Sequence, residues 1–422
     1  MSENTAQQSA IGRAKRVAKR AALAATAGIA ASQAVAVGTL LAMDAYTKRG
    51  RKKRRAPKPG TFESTVEKSD ITIFTSGEDL FESMIESIDH AEHTVMLATF
   101  IWKGDRVGQR FMDAVNNAAA RGVDVFLIWD VFANLVVPRQ FFEQLDERIN
   151  VHRMYPISGS FWRAPIRSTG LIHSKVLVVD DEIGYVGGFN IGDAYESEWR
   201  DTHVREVGPA VWELRQAFVN VWNEDRRADE RIDWVAPNAW NTRVEVHPNL
   251  PLQAVYPIRR MYLAAIERAQ KNIWLSTPYF VPDGKLLEPL RAAAARGVDV
   301  RLMLPEQSNH VVVDWVARGF YQDLLDAGVR IFLYTPAMNH SKIATIDGMW
   351  ATVGTANLDR LSLALNYETN LEVADPAFAE ALEKVFEADF KDCYEVDPEK
   401  WKARAGIEKV TEKLLVPLRP VM

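Results

Sequence analysis

Two stretches of this chain, starting at His173 and His340, agree position by position in their polar residues. Counting from each histidine, Lys follows at +2 (Lys175, Lys342), Asp at +7 (Asp180, Asp347) and Gly at +14 (Gly187, Gly354). Asn follows at +17 (Asn190, Asn357) and a carboxylate at +28 (Asp201, Glu368). Apolar runs such as Val176–Val179 and Ile343–Ile346 lie between them. A duplication kept for packing would repeat the apolar pattern and let polar residues drift. Here the reactive residue types recur in register.

Weaker repeats frame this one. His93 to Phe100 resembles Lys271 to Pro278, each a predicted strand, and Ala118 to Val125 matches Ala293 to Val300. In the second pair a helix ends at Gly122 or Gly297, where a left-handed C-cap suits glycine. Strands alternating with amphipathic helices after Pro57 indicate an α/β fold. A chain of 422 residues exceeds the usual ceiling for one core. The expected organisation is a basic segment at 1–60, a first α/β domain at 61–238 and a second at 239–422.

On a strand, His and Lys at i and i+2 share a face. A turn at Asp180-Asp181 or Asp347-Gly348 then brings Gly and Asn back beside them; the Asp-Gly pair is a strong hairpin signal. Two such surfaces brought together hold two imidazoles, two ammoniums and two amides, a set suited to a phosphodiester. Lys175, Lys342, Asn190 and Asn357 would bind its non-bridging oxygens, with glycine allowing close backbone approach. One histidine attacks phosphorus; the other protonates the leaving alkoxide and later deprotonates the incoming hydroxyl. Asp201 and Glu368 are the candidates for orienting the rings. Asp180 and Asp347 complete the candidate catalytic set, although their place at turns favours a supporting structural role.

Metal ligation by His173 or His340 is disfavoured, because each stands beside a lysine and no Cys or His cluster supplies further ligands. No cofactor is expected. Of the histidines outside the repeat, His203 lies two residues past Asp201; a buried polar residue is the plainer reading, lining the site the alternative. The lone Cys393 excludes an intrachain disulfide and reads as a buried, inert thiol.

Charge is unevenly spread. Residues 1–60 hold 13 of the 51 Lys+Arg and two acids, leaving 38 basic against 54 acidic residues in the body. So acidic a body disfavours long nucleic acid. Ala21–Met43 has no charged side chain and is long enough to span a bilayer, though its Ala, Gly, Ser and Thr make insertion marginal. A membrane anchor, a surface-lying basic arm and a cleaved targeting peptide all fit it. The larger basic cluster, Arg51–Arg55, follows the apolar stretch and would keep an anchored body cytoplasmic. In each case the basic flanks favour an anionic membrane surface.

His173-Ser-Lys175, Asp180 and Gly187-Gly188-Phe189-Asn190, with His340-Ser-Lys342, Asp347 and Gly354-Thr355-Ala356-Asn357, resemble the paired signature of the phospholipase D superfamily. Trp199-Arg-Asp-Thr-His-Val-Arg205, Thr277-Pro-Tyr-Phe-Val-Pro-Asp283 and Leu365-Asn-Tyr-Glu368 narrow the likeness to bacterial cardiolipin synthases, from about residue 70 onward. The resemblance implies two α/β/α sandwich domains around one pseudo-twofold site. It implies metal-independent transfer through a phosphatidyl-histidine, with phosphatidylglycerol as donor and as acceptor. Family precedent points to His173 as nucleophile, and the location implied is the bacterial inner membrane. Leu361 stands where Arg usually precedes Ser362, and Asn309 where Asp is common; both put acceptor choice in doubt. A hydrolytic phospholipase D or nuclease on the same scaffold is the alternative. A non-catalytic lipid-binding module fits poorly, since a degenerate copy should have lost a His or Lys. Oligomeric state is open.

Overall fold

The computed structural model of the chain describes residues 35, 37–46, 55–155, 170–224, 226–237 and 239–421. Most of the expected anchor at 21–43, namely 21–34 and 36, lies outside the described residues. The helical stretch 37–46 lays Leu40 against the core of the second half, with Leu41, Met43 and Tyr46 exposed. Among the described residues no helix is long and apolar enough to cross a membrane.

The first half contributes β1 (Thr61–Val66), β2 (Ser69–Phe74), β3 (Thr94–Thr99), β4 (Asp124–Asp130), β5 (Asn150–Met154), β6 (Val176–Val179), β7 (Ile183–Gly187), β8 (Trp199–Arg200) and β9 (His203–Val207). The second contributes β10 (Val244–Pro248), β11 (Asn272–Ser276), β12 (Phe280–Val281), β13 (Asp299–Pro305), β14 (Arg330–Tyr334), β15 (Met338–Asn339), β16 (Ile343–Ile346), β17 (Trp350–Gly354), β18 (Leu358–Asp359), β19 (Thr369–Val373) and β20 (Cys393–Glu395). Two eight-stranded mixed sheets result, ordered β1-β2-β9-β7-β6-β3-β4-β5 and β10-β19-β17-β16-β11-β13-β14-β20. From β2 to β5 and from β10 to β14 the two orders are equivalent, with parallel β3-β4-β5 matching β11-β13-β14. The duplication is therefore a duplication of sheet topology, and the fold is the expected α/β one.

The central strands are apolar on both faces because both are covered, while edge strands such as β1 are polar and exposed. The outer face of the first sheet packs on helices Gly77–Asp89 and Arg106–Arg121 through residues such as Leu97, Leu177 and Tyr185. Helices Pro257–Arg268, Gly284–Ala295 and Val311–Asp326 cover the second sheet. The inner faces, with Met96, Val178, Val353 and Leu371, share one core with helices Val211–Trp222 and Pro376–Phe390 between them. Full burial of one such Val or Leu is worth roughly 1.5–3 kcal/mol. Gly122 and Gly297 both end their helices at φ +91°, as the repeat suggests.

A buried ion pair crosses this shared layer. Arg200 Nε and Nη2 donate to Asp389 Oδ1 and Oδ2 at 3.0 and 2.8 Å, joining the first half to the helix Pro376–Phe390. Cys393, expected to be buried, is half-buried at the edge of the second sheet, where its thiol donates to the Asp389 carbonyl.

The hairpins β6–β7 and β16–β17 turn through left-handed residues at Asp180-Asp181 and Asp347-Gly348. Their contacts there support the structural role for both aspartates over the catalytic one. The Asp180 carboxylate accepts the backbone N–H groups of Glu92, His93 and Thr94 at 2.7–2.8 Å, and Asp347 those of Gln270, Lys271 and Asn272 at 2.7–3.0 Å. Each staples a turn to the start of the neighbouring strand, β3 or β11, at the end of the hairpin away from the histidine. The aspartate recurs because the same joint recurs.

Asp180→Ala should lower stability by roughly 1–3 kcal/mol, the cost of stranding polar groups, while the folded fraction keeps its turnover. Denaturant titration alongside specific activity checks this; lost turnover at unchanged stability would return Asp180 to the catalytic set. Arg200→Met or Asp389→Leu alone should cost roughly 3–5 kcal/mol by leaving a buried charge unpaired, and the double variant should recover much of it. Thermal unfolding of the three proteins reads the difference.

Candidate active site

His173 and Lys175 sit in an extended segment just ahead of β6, and His340 and Lys342 just ahead of β16, so both motifs precede the strands rather than lie within them. Each segment runs beside the carboxylate-bearing segment of the other half. Ile172 bridges Tyr367, and His173 donates its backbone N–H to the Tyr367 carbonyl at 2.9 Å. β15 pairs in parallel with β8, and His340 N–H donates to the Arg200 carbonyl at 2.7 Å. Hydroxyl pairs extend the exchange: Ser174 Oγ with Thr369 Oγ1 at 2.9 Å, and Thr202 Oγ1 with Ser341 Oγ at 3.1 Å.

This crossing puts each imidazole on the other half's acid. His173 Nδ1 lies 2.9 Å from Glu368 Oε2, and His340 Nδ1 lies 2.6 Å from Asp201 Oδ2. Both carboxylates are fully buried. With Nδ1 turned to a carboxylate, Nε2 is the nitrogen left for chemistry. Thr355 Oγ1 donates to the same Glu368 oxygen at 2.5 Å. Phe100 packs edge-on to His173 at 5.0 Å between centroids, and Trp199 to His340 at 5.1 Å. Tyr279 stands 6.2 Å from His340, its hydroxyl donating to Asn309 Oδ1.

Burial governs the charges. It lowers the His173 imidazole against the pull of Glu368, and brings His340 to about 3, with Lys342 adding to the effect. Lys175 falls to about 7 and Lys342 to about 8, chiefly by desolvation opposed by the two carboxylates. Burial pushes Asp201 up, but the Lys342 and His340 charges prevail and hold it below the ordinary carboxylate range. Each imidazole also feels the lysine of the opposite half, so the two motifs form one electrostatic cluster. Lys175 Nζ donates to the His173 carbonyl at 2.7 Å, and Lys342 Nζ lies 2.7 Å from His340 Nδ1.

The repeated Gly and Asn positions serve differently from expectation. A Cβ at Gly187 would lie 2.5 Å from His203 Cα, and one at Gly354 2.3 Å from the Asn370 side chain. The space these glycines leave is taken by the neighbouring strand, not held open for a ligand. Asn190 is buried, its Oδ1 accepting the Ile101 N–H at 3.1 Å and its amide bonding the Tyr195 hydroxyl, so it is committed internally. Asn357 donates to Ser362 Oγ at 3.3 Å. His203 is buried beside the cluster; neither ring nitrogen finds a partner among the described residues, and burial lowers it to about 3.

Several neighbours of the histidines escaped the sequence reading. Ser at +1 and Thr at +29 recur in both copies and are the hydroxyls that cross between halves. Phe100 and Tyr279 follow the matched Thr99 and Thr277. The duplication carried these signals too. Among the described residues, the group with metal-ligand spacing is Glu245, His247 and Glu372, on β10 and β19 rather than around the paired histidines.

Comparison with known proteins follows the same outline. The family model described as "Cardiolipin synthase, PLD-like domain" matches residues 84–222 and 262–390. A cardiolipin synthase of Clostridium perfringens is 31% identical over 372 residues, covering 85% of this chain and 78% of the relative. One from Listeria monocytogenes is 30% identical over 366 residues, covering 84% and 76%. The crystal structure of phosphatidylserine synthase from Haemophilus influenzae superposes with a TM-score of 0.64 at 14% identity, over 86% of this chain and 95% of that one, a likeness of fold. With both family matches falling on the duplicated sheets, the chain belongs to the phospholipase D-like cardiolipin synthase family.

Proposed function

We propose that this enzyme is a phosphatidyltransferase that makes cardiolipin and glycerol from two molecules of phosphatidylglycerol. The observation that carries the reading is the crossed pair of buried histidines, each held through Nδ1 by a carboxylate of the other half. Lys175 and Lys342 hold the non-bridging phosphate oxygens.

One imidazole Nε2, assigned to His173, attacks phosphorus, and the bond to the glycerol oxygen breaks. The other imidazole gives that oxygen its proton. The same imidazole then takes a proton from the hydroxyl of a second phosphatidylglycerol, whose oxygen displaces the histidine. Burial disfavours the charged form of both rings in the empty site, which suits attack. The anionic phosphodiester brings the negative charge that lets its partner take up a proton. The basic N-terminal segment supports work on an anionic membrane surface, with the body on the cytoplasmic face of the bacterial inner membrane.

Purified enzyme given vesicles of phosphatidylglycerol should release cardiolipin and glycerol in equal amounts; phosphatidic acid without cardiolipin would instead mark a hydrolase. His173→Ala and His340→Ala should each cut turnover by about 10³-fold or more, and substantial activity in either would end the two-histidine scheme. Trapping the covalent adduct and locating it by mass assigns the nucleophile.

The pH profile follows from the lysines. In the free enzyme Lys175 and Lys342 lose their charge as pH rises through about 7 and about 8. Attraction for the phosphodiester is therefore full below that window and fades above it. kcat/KM should fall on the alkaline side between these values, while kcat holds to higher pH because the bound anion keeps the ammoniums protonated.

A further inference from the structure

The loop that follows β4 exposes three large apolar side chains in five residues. Phe132, Leu135 and Val136 are 58%, 69% and 79% exposed. Tyr155 at 58% stands beside them, where Val131 N–H meets the Met154 carbonyl at 2.8 Å. Apolar residues crowded on one exposed tip mark an interaction surface.

The tip is held out by polar residues that face inward. Asn134 is buried; its Oδ1 accepts the Trp102 N–H at 2.8 Å, and its Nδ2 donates to the carbonyls of Phe100 and Asp130 at 2.9 and 2.7 Å. Asp130, also buried, accepts the N–H of Ala133 at 2.8 Å and of Ile172 at 3.3 Å. Ile172 precedes His173, and Phe100 packs on its ring. The same two side chains that shape the loop thus tie it to the immediate surroundings of one catalytic imidazole. On the second half, half-exposed Leu361 lies next to Ser362, the partner of Asn357.

We infer that Phe132, Leu135 and Val136 insert into the lipid bilayer and set the mouth of the active site against the membrane surface. The inference rests on the proposed lipid substrate, whose acyl chains must stay in an apolar medium while its phosphate reaches His173. Charge on the N-terminal segment attracts the protein to an anionic surface but does not orient it; an apolar tip beside the site does. Arg139, exposed just past the loop and ion-paired with exposed Glu143, puts polar groups where the headgroup level would lie.

The test labels the full chain with an environment-sensitive fluorophore at one cysteine, on a Cys393→Ser background. The label goes at Leu135→Cys in one protein and, in another, at Met349→Cys on the β16–β17 turn by Asp347, at the end of that hairpin away from His340. On adding phosphatidylglycerol vesicles, emission from position 135 should shift to the blue while position 349 stays aqueous. No shift at 135, equal shifts at both, or a shift that follows protein concentration without vesicles (self-association) overturns the inference. This reading needs no turnover, so it stands apart from the proposed reaction. A second arm replaces Phe132, Leu135 and Val136 together with Ser. Turnover of long-chain phosphatidylglycerol in vesicles should fall on the order of tenfold or more. Turnover of monomeric dihexanoyl phosphatidylglycerol should hold, and equal loss on both substrates counts against docking.

Discussion

The site depends on an exchange of acids between halves. Glu368 reaches back to His173 and Asp201 reaches forward to His340, over separations of 195 and 139 residues. Neither histidine finds its orienting carboxylate within its own copy of the motif. Everything that holds the two sheets face to face therefore bears on ring orientation: the shared inner core, the Ser–Thr pairs, and the backbone bonds from His173 to Tyr367 and His340 to Arg200. Packing and chemistry are here the same set of contacts.

Concentrating two lysines, two histidines and two acids out of water is costly unless each has a partner. The cluster meets that cost by interleaving signs: each carboxylate sits by an imidazole, and each lysine donates to a motif carbonyl. Part of the cost remains visible as the fall in basicity of both lysines. A phosphodiester supplies the missing negative charge, so the empty site is electrostatically incomplete in a way its substrate corrects. The buried Arg200–Asp389 pair, one residue from Asp201, anchors the segment between β8 and β9 that carries this acid.

The polar frame shared by His173 and His340 made the duplication, the α/β class and the residues now seen around the paired rings legible from sequence. The assignment of roles within that frame was less legible, because recurrence does not say why a residue recurs. Asp180 and Asp347 recur since each caps the start of a neighbouring strand. Gly187 and Gly354 recur since the adjacent strand leaves no room for a Cβ. Asn190 recurs in the frame yet spends its amide on the backbone of Ile101 and the hydroxyl of Tyr195. The crossing of Asp201 and Glu368 was hidden for another reason: spacing along a chain is silent about which segment lies beside which. Ser174, Ser341, Thr202 and Thr369 were in plain view at equal offsets, but small hydroxyls are too common for their repetition to attract notice.

A site lying on a dyad of two identical chains would hold the same rings, but every substitution would strike both at once. Carrying both copies on one polypeptide removes that bond. Here Gly188, where a Cβ would collide with Asp201, corresponds to Thr355, whose hydroxyl donates to Glu368. A shorter acid with an empty neighbour faces one imidazole, a longer acid with a hydroxyl companion the other. The two bases are thus free to acquire different intrinsic proton affinities, whereas a strictly symmetrical pair differs only once a proton or a substrate has broken the symmetry.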